Sequence, residues 1–352
     1  MQTFRRLDHF FAQTPAATGR LLSSIDVARG RQEAFRQQHP TALKTLTDIA
    51  LVQSVESSNA IERITAPHKR IQEIVAEKTA PKNRSEEEIA GYRDVLNTIH
   101  SSARHIPIKG SVIQQLHRDL YKFSARPGGD FKTTPNSIEE TRPDGSKIIR
   151  FEPVRVFETP GAVDELCERF TDAKKEDAYH PLLITGAFVL DFLCIHPFGD
   201  GNGRMSRLLT LLALYQTEYD VGRFISLERL IEESKETYYE VLRDSSQGWH
   251  EGEHDLGPWM RYFLGILAGA YRRFEERAGT VVPARGAKAD MVKDFIRSRV
   301  SEEFTVAEIR RAVPTASDVY IRKVLKGLRD ERVVEVTSSG RTAKWRRLSI
   351  DF

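Results

Sequence analysis

Apolar residues recur at three- and four-residue spacing along most of the first 280 positions, which predicts a mainly helical chain. In residues 41–78, Leu43, Leu46, Ile49, Leu51 and Val55 carry this pattern, and Pro67 breaks it in a later turn. Ser85 to Ile99 reads as a helix with Glu86 to Glu88 in its first turn, where the helix dipole favours carboxylates. Another helix runs through Ile113 to Tyr121. Residues 124–153 are instead rich in Gly, Pro and Thr, and Arg142-Pro143-Asp144-Gly145-Ser146 precedes Ile148, Ile149 and Phe151. Proline sets φ, aspartate caps and glycine accepts positive φ, so this stretch predicts a β-hairpin. Helices resume from about 161 to 276, and Gly279 to Gly286 reads as a linker.

The most apolar run, Leu182 to Ile195, is interrupted by Thr185 and Asp191 and falls short of the roughly 20 residues a membrane span needs. The N-terminal stretch has arginines without a signal-peptide core behind them. Two cysteines, Cys167 and Cys194, are too few for a disulfide framework and form no CxxC pair, which excludes a cysteine-based zinc site. The expectation is a cytoplasmic protein with no membrane contact. With 40% hydrophobic and 29% charged residues, the 352-residue chain has the balance of a globular protein of two or three domains.

Charge is unevenly spread. Residues 286–352 hold 15 Lys/Arg and 10 Asp/Glu, while the whole chain is only +3. This tail reads as three helices and a β-hairpin. Thr305-Val306-Ala307-Glu308 forms a capping box that starts the second helix, and Pro314 precedes the third. In the third helix Ile321, Val324, Leu325 and Leu328 give a buried stripe opposite Tyr320, Arg322, Lys323 and Lys326. Val333 to Val336, the turn Ser338 to Arg341, and Lys344 to Arg347 then suggest a two-stranded wing.

The stretch with most chemistry is His196-Pro197-Phe198-Gly199-Asp200-Gly201-Asn202-Gly203-Arg204-Met205-Ser206-Arg207. It follows the apolar run and precedes a second apolar helix, so a glycine-rich loop opens onto a helix N-terminus, a natural anion site. Arg204 and Arg207 add positive charge at i and i+3, and Asp200 offers a carboxylate to a divalent cation. His196 is the nearby group able to take a proton near neutral pH. These parts fit attack by a hydroxyl on a metal-bound nucleotide phosphate.

The same twelve residues resemble the signature HPFx[DE]GNGRxxR of Fic-domain proteins at every fixed position, and the likeness extends over roughly residues 40–265. The resemblance implies a helical fold with a β-hairpin flap and transfer of AMP from Mg2+-bound ATP to a Tyr, Ser or Thr hydroxyl. It implies His196 as general base, Asp200 as the magnesium ligand, Gly201, Asn202 and Gly203 as the anion hole, and Arg204 and Arg207 as holders of the β- and γ-phosphates. Phe198 would anchor the loop in the core. Ser58 and Glu62 resemble the family's inhibitory motif [ST]xxxE[GN], whose glutamate pairs with the residue matching Arg207; Arg63 departs from the Gly or Asn of that pattern. The hairpin at 133–153 would be the flap, whose edge can hold a target strand. Of Tyr238 and Tyr239, the resemblance favours Tyr239 as a wall of the adenine pocket, against a core role for both, while Trp249 and Trp259 read as core.

The implied organisation is an N-terminal helical region with the inhibitory helix (1–100), a Fic core (101–278), a linker (279–287) and a C-terminal domain (288–352). That last domain resembles a winged helix-turn-helix, which would meet double-stranded DNA through Tyr320, Arg322, Lys323, Lys326, Arg341 and Lys344, or else serve protein contacts or a homodimer. The expected partners are therefore a protein substrate, the chain itself included, and duplex DNA. A nucleotide-sensing DNA-binding regulator, or transfer of another phosphate-containing group, are the competing readings.

Overall fold

The apolar run ahead of the glycine loop becomes the central helix, Pro181–Ile195, buried at every position from Leu182 to Ile195. The computed structural model describes residues 1–12, 15–38, 40–141, 147–281, 289, 292–293, 295–296, 303–313, 316–338, 340 and 343–348. They form two compact units, Met1–Arg277 and Ala278–Phe352.

In the first unit the helices are α1 (Leu7–Phe11), α2 (Ala16–Gln38), α3 (Pro40–Ile61), α4 (His68–Val75), α5 (Arg84–Ser102), α6 (Gly110–Leu120), α7 (Thr159–Glu176), α8 (Pro181–Ile195), α9 (Asn202–Gln216), α10 (Leu227–Glu233), α11 (Lys235–Ser246) and α12 (Gly257–Val281). Between α6 and α7 lies the expected hairpin, β1 (Ile138–Thr141) paired antiparallel with β2 (Lys147–Phe151). Its turn, Arg142 to Ser146, lies outside the described residues, as does the linker from residue 282 onward. No helix among the described residues is long and apolar enough to cross a membrane.

Helix α8 packs against α7, α9 and α11, so the chain reverses at the glycine loop and returns along its own core. Each fully buried Leu, Ile or Phe in such a pair contributes about 1.5–3 kcal/mol. The turns flanking it follow local rules. Asn83 caps α5 by accepting from the Glu86 amide, an ordinary N-cap. The acidic first turn does more than face a dipole: Glu86 and Glu88 are buried, Glu86 against Arg70 at 2.8 Å and Glu88 against Arg204 at 2.8 Å. Gly91 lets α5 and α6 meet at backbone distance, because a methyl group there would collide with the Leu120 carbonyl. Helix α2 lies in the N-terminal helical region expected over 1–100, although its apolar periodicity is weak, and Leu22 and Ile25 bury its inner side.

A polar knot locks α8 to both ends of this unit. Buried Asp191 accepts from the Thr3 hydroxyl (2.6 Å), the Thr3 and Phe4 amides and the Trp249 indole (2.6 Å). The Thr3 hydroxyl in turn accepts from His254 Nε2 at 3.0 Å. Trp259 donates to the Gly186 carbonyl at 2.7 Å, so both tryptophans are core residues, as expected.

The second unit contains β3 (Glu303–Thr305), α13 (Val306–Ala312), α14 (Asp318–Asp330), β4 (Val334–Ser338) and β5 (Lys344–Arg347). The expected two-stranded wing gains a third strand, in the order β3-β5-β4. Thr305 and Glu308 make the capping box at α13, and Ser317 caps α14. Of the helix expected from residue 288, only 289, 292–293 and 295–296 are described, and Val292 and Ile296 are buried. Pro314 and Arg341 lie outside the described residues.

Replacing Asp191 by alanine would strand the Trp249 and Thr3 donors in the interior, at a cost of about 3 kcal/mol. The check is the urea midpoint followed by tryptophan fluorescence, with Asp191→Asn, which keeps an acceptor oxygen, losing less than half as much.

Candidate active site

The turn from α8 to α9 is built by backbone geometry first. His196 ends α8 in the left-handed region (φ 49, ψ 61), its amide still bonded to Phe192 O at 3.0 Å. Gly201 enters α9 at φ 80. Asn202 spans the loop between them: its Oδ1 accepts from the Phe198 amide at 2.9 Å and its Nδ2 donates to the Phe198 carbonyl at 2.7 Å. Its side chain therefore faces the loop's own backbone and leaves only the main chain for an anion. Phe198 is fully buried and stacks on His117 at 3.7 Å. Gly129 N–H donates to His117 Nδ1 at 2.8 Å, so Nε2 carries the proton that bonds Asp200 O at 3.1 Å.

His196 is poised as an acceptor. Its Nδ1 faces the Leu193 carbonyl at 3.3 Å; a carbonyl only accepts, so the proton sits on Nδ1 and Nε2 keeps its lone pair. Burial pushes the imidazole down to about 4, against the pull of the Leu193 bond. The ring is neutral near pH 7.

Both arginines are turned inward. Arg207, 4% exposed, donates Nε to Ser58 Oγ, Nη2 to the Ser58 carbonyl and Nη2 to Glu62 Oε1, each at 2.8 Å. Burial works against its charge, and Glu62 restores it, holding the guanidinium above its ordinary value. Gly203 leaves room for this pair: a methyl group there would collide with Glu62 Oε1. Arg204, 1% exposed, pairs with Glu88 and donates to Tyr121 Oη at 2.8 Å. Only Nη2 makes these contacts; Nε and Nη1 of Arg204 are buried and have no hydrogen-bond partner among the described residues. A small void of about 30 Å³ lies beside Arg207, lined by Ser206, Glu228, Tyr238 and Trp259 among others.

Above the loop opens a cleft of about 790 Å³, a normal size for a small-molecule site. It is lined by His196, Gly199 to Gly203, Ile61 to Arg63, Ser137 to Glu139 of the flap, and Tyr238 and Tyr239. Tyr239, half-buried, thus stands on the cleft wall, while Tyr238 is a core residue that reaches it from behind. Lys235 of α11 donates to the Ile61 carbonyl at 2.6 Å, fastening the end of α3. Asp200, half-exposed, accepts from the Gly201 amide at 2.7 Å and faces Arg126 at 3.4 Å. Among the described residues no cluster of three or more His, Cys, Asp or Glu forms a metal cage. One exposed carboxylate beside an anion cradle instead fits an ion that arrives coordinated to phosphates.

Sequence reasoning missed Lys132 and Asn136. Lys132, 5% exposed, donates its amide to Pro197 O (2.8 Å) and its Nζ to Ile195 O (3.1 Å) and Asn136 Oδ1 (2.9 Å). Asn136 Nδ2 donates to His196 O (3.2 Å) and Phe198 O (3.0 Å). The only signal was a polar pair four residues apart in a loop.

In the second unit Arg322, Lys323 and Lys326 are exposed on α14. Tyr320 is not on that face; it packs against the buried cluster with Phe295 and Val324. One helical turn ahead of Val324, it shares that residue's side of α14. Lys344 pairs with Glu303 at 3.0 Å.

The sequence profile of the Fic/DOC family matches residues 107–214. A protein adenylyltransferase Fic of Drosophila willistoni is 26% identical over 251 residues, 69% of this chain and 45% of that protein. The chain thus spans less than half the length of the curated adenylyltransferases it matches. A Fido domain-containing protein of Dictyostelium discoideum is 30% identical over 104 residues, 26% of this chain and 70% of that protein. Among solved structures, a Fic family protein from Desulfovibrio desulfuricans G20 superposes with a TM-score of 0.64 at 20% identity, covering 96% of this chain and 97% of that one. Fic-1 from C. elegans gives 0.60 at 20% identity, covering 75% and 74%. At this identity the structural likeness shows the fold.

Burial also holds His100 at about 3 and His117 at about 4, below the ordinary 6.5. Between those values the unfolded chain takes protons that the folded chain refuses, so each imidazole contributes stability above 6.5 that is lost as pH falls. Denaturant midpoints should drop on acidification from about pH 7 to about pH 5. Imidazole NMR should place half-protonation of His196 near 4; a value near 6.5 would contradict its burial.

Proposed function

Because the chain belongs to the Fic/DOC family, we propose that it transfers AMP from magnesium-bound ATP to a hydroxyl side chain of a protein, itself included, under restraint by Glu62. As a member it is a Fic-type transferase; relatives named protein adenylyltransferase, together with the triphosphate-sized cleft, support AMP as the transferred group. The observation that carries the reading is a neutral His196 in the cleft with Nε2 unprotonated.

In this mechanism His196 Nε2 accepts the proton of the target hydroxyl. The hydroxyl oxygen attacks the α-phosphorus, the bond to the α–β bridging oxygen breaks, and pyrophosphate leaves. Asp200 is the residue that would hold a divalent ion, whose charge would offset that of the phosphates. The Gly201 to Gly203 backbone, at the N-terminus of α9, orients the phosphates. Arg207 joins them once Glu62 has left, since one guanidinium face cannot serve both anions.

The restraint is the pair Arg207–Glu62 at 2.8 Å, seated on Ser58. Arg63 answers to the same geometry. It ends α3 at φ 62, the conformation a Gly or Asn takes most readily, so the helix stops where the motif requires in spite of the substitution. We further propose a cytoplasmic setting, which suits the two buried free thiols, Cys167 and Cys194.

With α-labelled ATP and magnesium, Glu62→Gly should raise self-labelling about tenfold or more, and adding His196→Ala should reduce it by about 100-fold. Absence of label in Glu62→Gly would remove the proposal.

For the second unit we propose a winged helix-turn-helix that binds duplex DNA through Arg322, Lys323 and Lys326 on α14. The exposure of these three cations opposite the buried Ile321, Leu325 and Leu328 favours it. Affinity for a duplex should fall steeply with salt, with a slope lower by about one for each cation replaced; a salt-independent association would point to protein contacts instead.

A further inference from the structure

Four consecutive carbonyls, from Ile195 at the end of α8 to Phe198, are each met by a donor from the short segment 132–136, just before strand β1. Ile195 O receives Lys132 Nζ, Pro197 O the Lys132 amide, and His196 O and Phe198 O the two bonds of Asn136 Nδ2. Lys132 and Asn136 are themselves joined at 2.9 Å, so the segment acts as one clip. Neither residue lines the cleft. The loop's carbonyls are thereby bound to groups outside the pocket in which an anion would sit.

The clip grips a backbone that needs it. His196 lies at φ 49, a conformation non-glycine residues adopt at a cost of about 1 kcal/mol or more, which surrounding structure must hold in place. An ammonium near the C-terminal carbonyls of α8 also complements the negative end of that helix. Two residues beyond Asn136, at Ile138, strand β1 of the flap begins, and Ile138 and Glu139 line the cleft across from His196.

We propose that Lys132 and Asn136 are positioning residues for the transfer, binding the flap and the His196 loop into one body so that a hydroxyl carried on the flap meets the imidazole in register. They touch neither nucleotide nor target; they set where the base stands relative to the strand that presents the hydroxyl. This rests on the AMP-transfer reading above, but the clip itself can be tested without it.

In a Glu62→Gly background, Asn136→Ala and Lys132→Met should each lower kcat roughly 10- to 100-fold, the cost of misplacing reacting groups by about an ångström. ATP affinity, measured by calorimetry, should stay within about twofold, because the nucleotide contacts are intact. Lys132→Arg, which keeps a buried cation facing Ile195 O, should retain most of the rate. Asn136 sits half-buried at the rim, so its variant decides the matter should Lys132→Met fail to fold. Hydrogen–deuterium exchange over residues 192–204, measured without nucleotide, should quicken in Asn136→Ala. Unchanged kcat, parallel loss of kcat and ATP affinity, or wild-type exchange in the loop would each overturn the proposal. If the Glu62→Gly parent transfers no AMP, the functional reading fails, and the exchange experiment still decides the clip.

Discussion

A loop that joins two buried helices must find partners for its own backbone. From Ile195 to Phe198 the carbonyls have no helix hydrogen bonds, and only Gly199 and Asp200 of the loop are exposed. The solution is to hand the carbonyls to Lys132 and Asn136 and to let Asn202 close the turn from within. Burial of an unpaired carbonyl costs about as much as a lost hydrogen bond. Everything else at the site follows from this disposal: the left-handed His196, the free Nε2, and the glycines at the mouth of α9.

The second constraint is charge. Two arginines lie one turn apart on a helix that is buried on nearly all sides, and neither can stay charged there alone. Each has its own carboxylate, Glu88 for Arg204 and Glu62 for Arg207, but the two pairs differ in kind. Glu88 is 3% exposed and fixed in α5, whereas Glu62 is 31% exposed at the end of α3. One pair is scaffold. The other has its carboxylate at the cleft, where an anion could take its place without opening the core, the asymmetry on which the proposed restraint rests.

Much of this could be read from the residues alone, and the limits are physical. The run Leu182 to Ile195 was long and apolar enough to be called buried, and the turn chemistry around Pro143 and Gly145 announced the hairpin. The capping box at Thr305 fixed a helix start to the residue. By contrast, Arg204 matches the phosphate-binding pattern as well as Arg207 does; only tertiary packing reveals that Glu88, over a hundred positions away, already holds it. Tyr320 occupies a helical position that alternates between face and core, and Phe295 and Val324 decide it. Lys132 and Asn136 act through backbone atoms of a distant turn, a relation with no periodicity to betray it.

Arg63 stands at the edge of the cleft, and its backbone bears on the energy of the Glu62 turn. A side chain in the left-handed region costs about 1 kcal/mol relative to glycine. Uncoiling the end of α3 would release that amount, equivalent to roughly fivefold in an equilibrium between paired and unpaired Glu62. On the inhibitory reading proposed above, position 63, itself at the cleft, would act as a rheostat: a glycine there would hold the Glu62 turn without that cost.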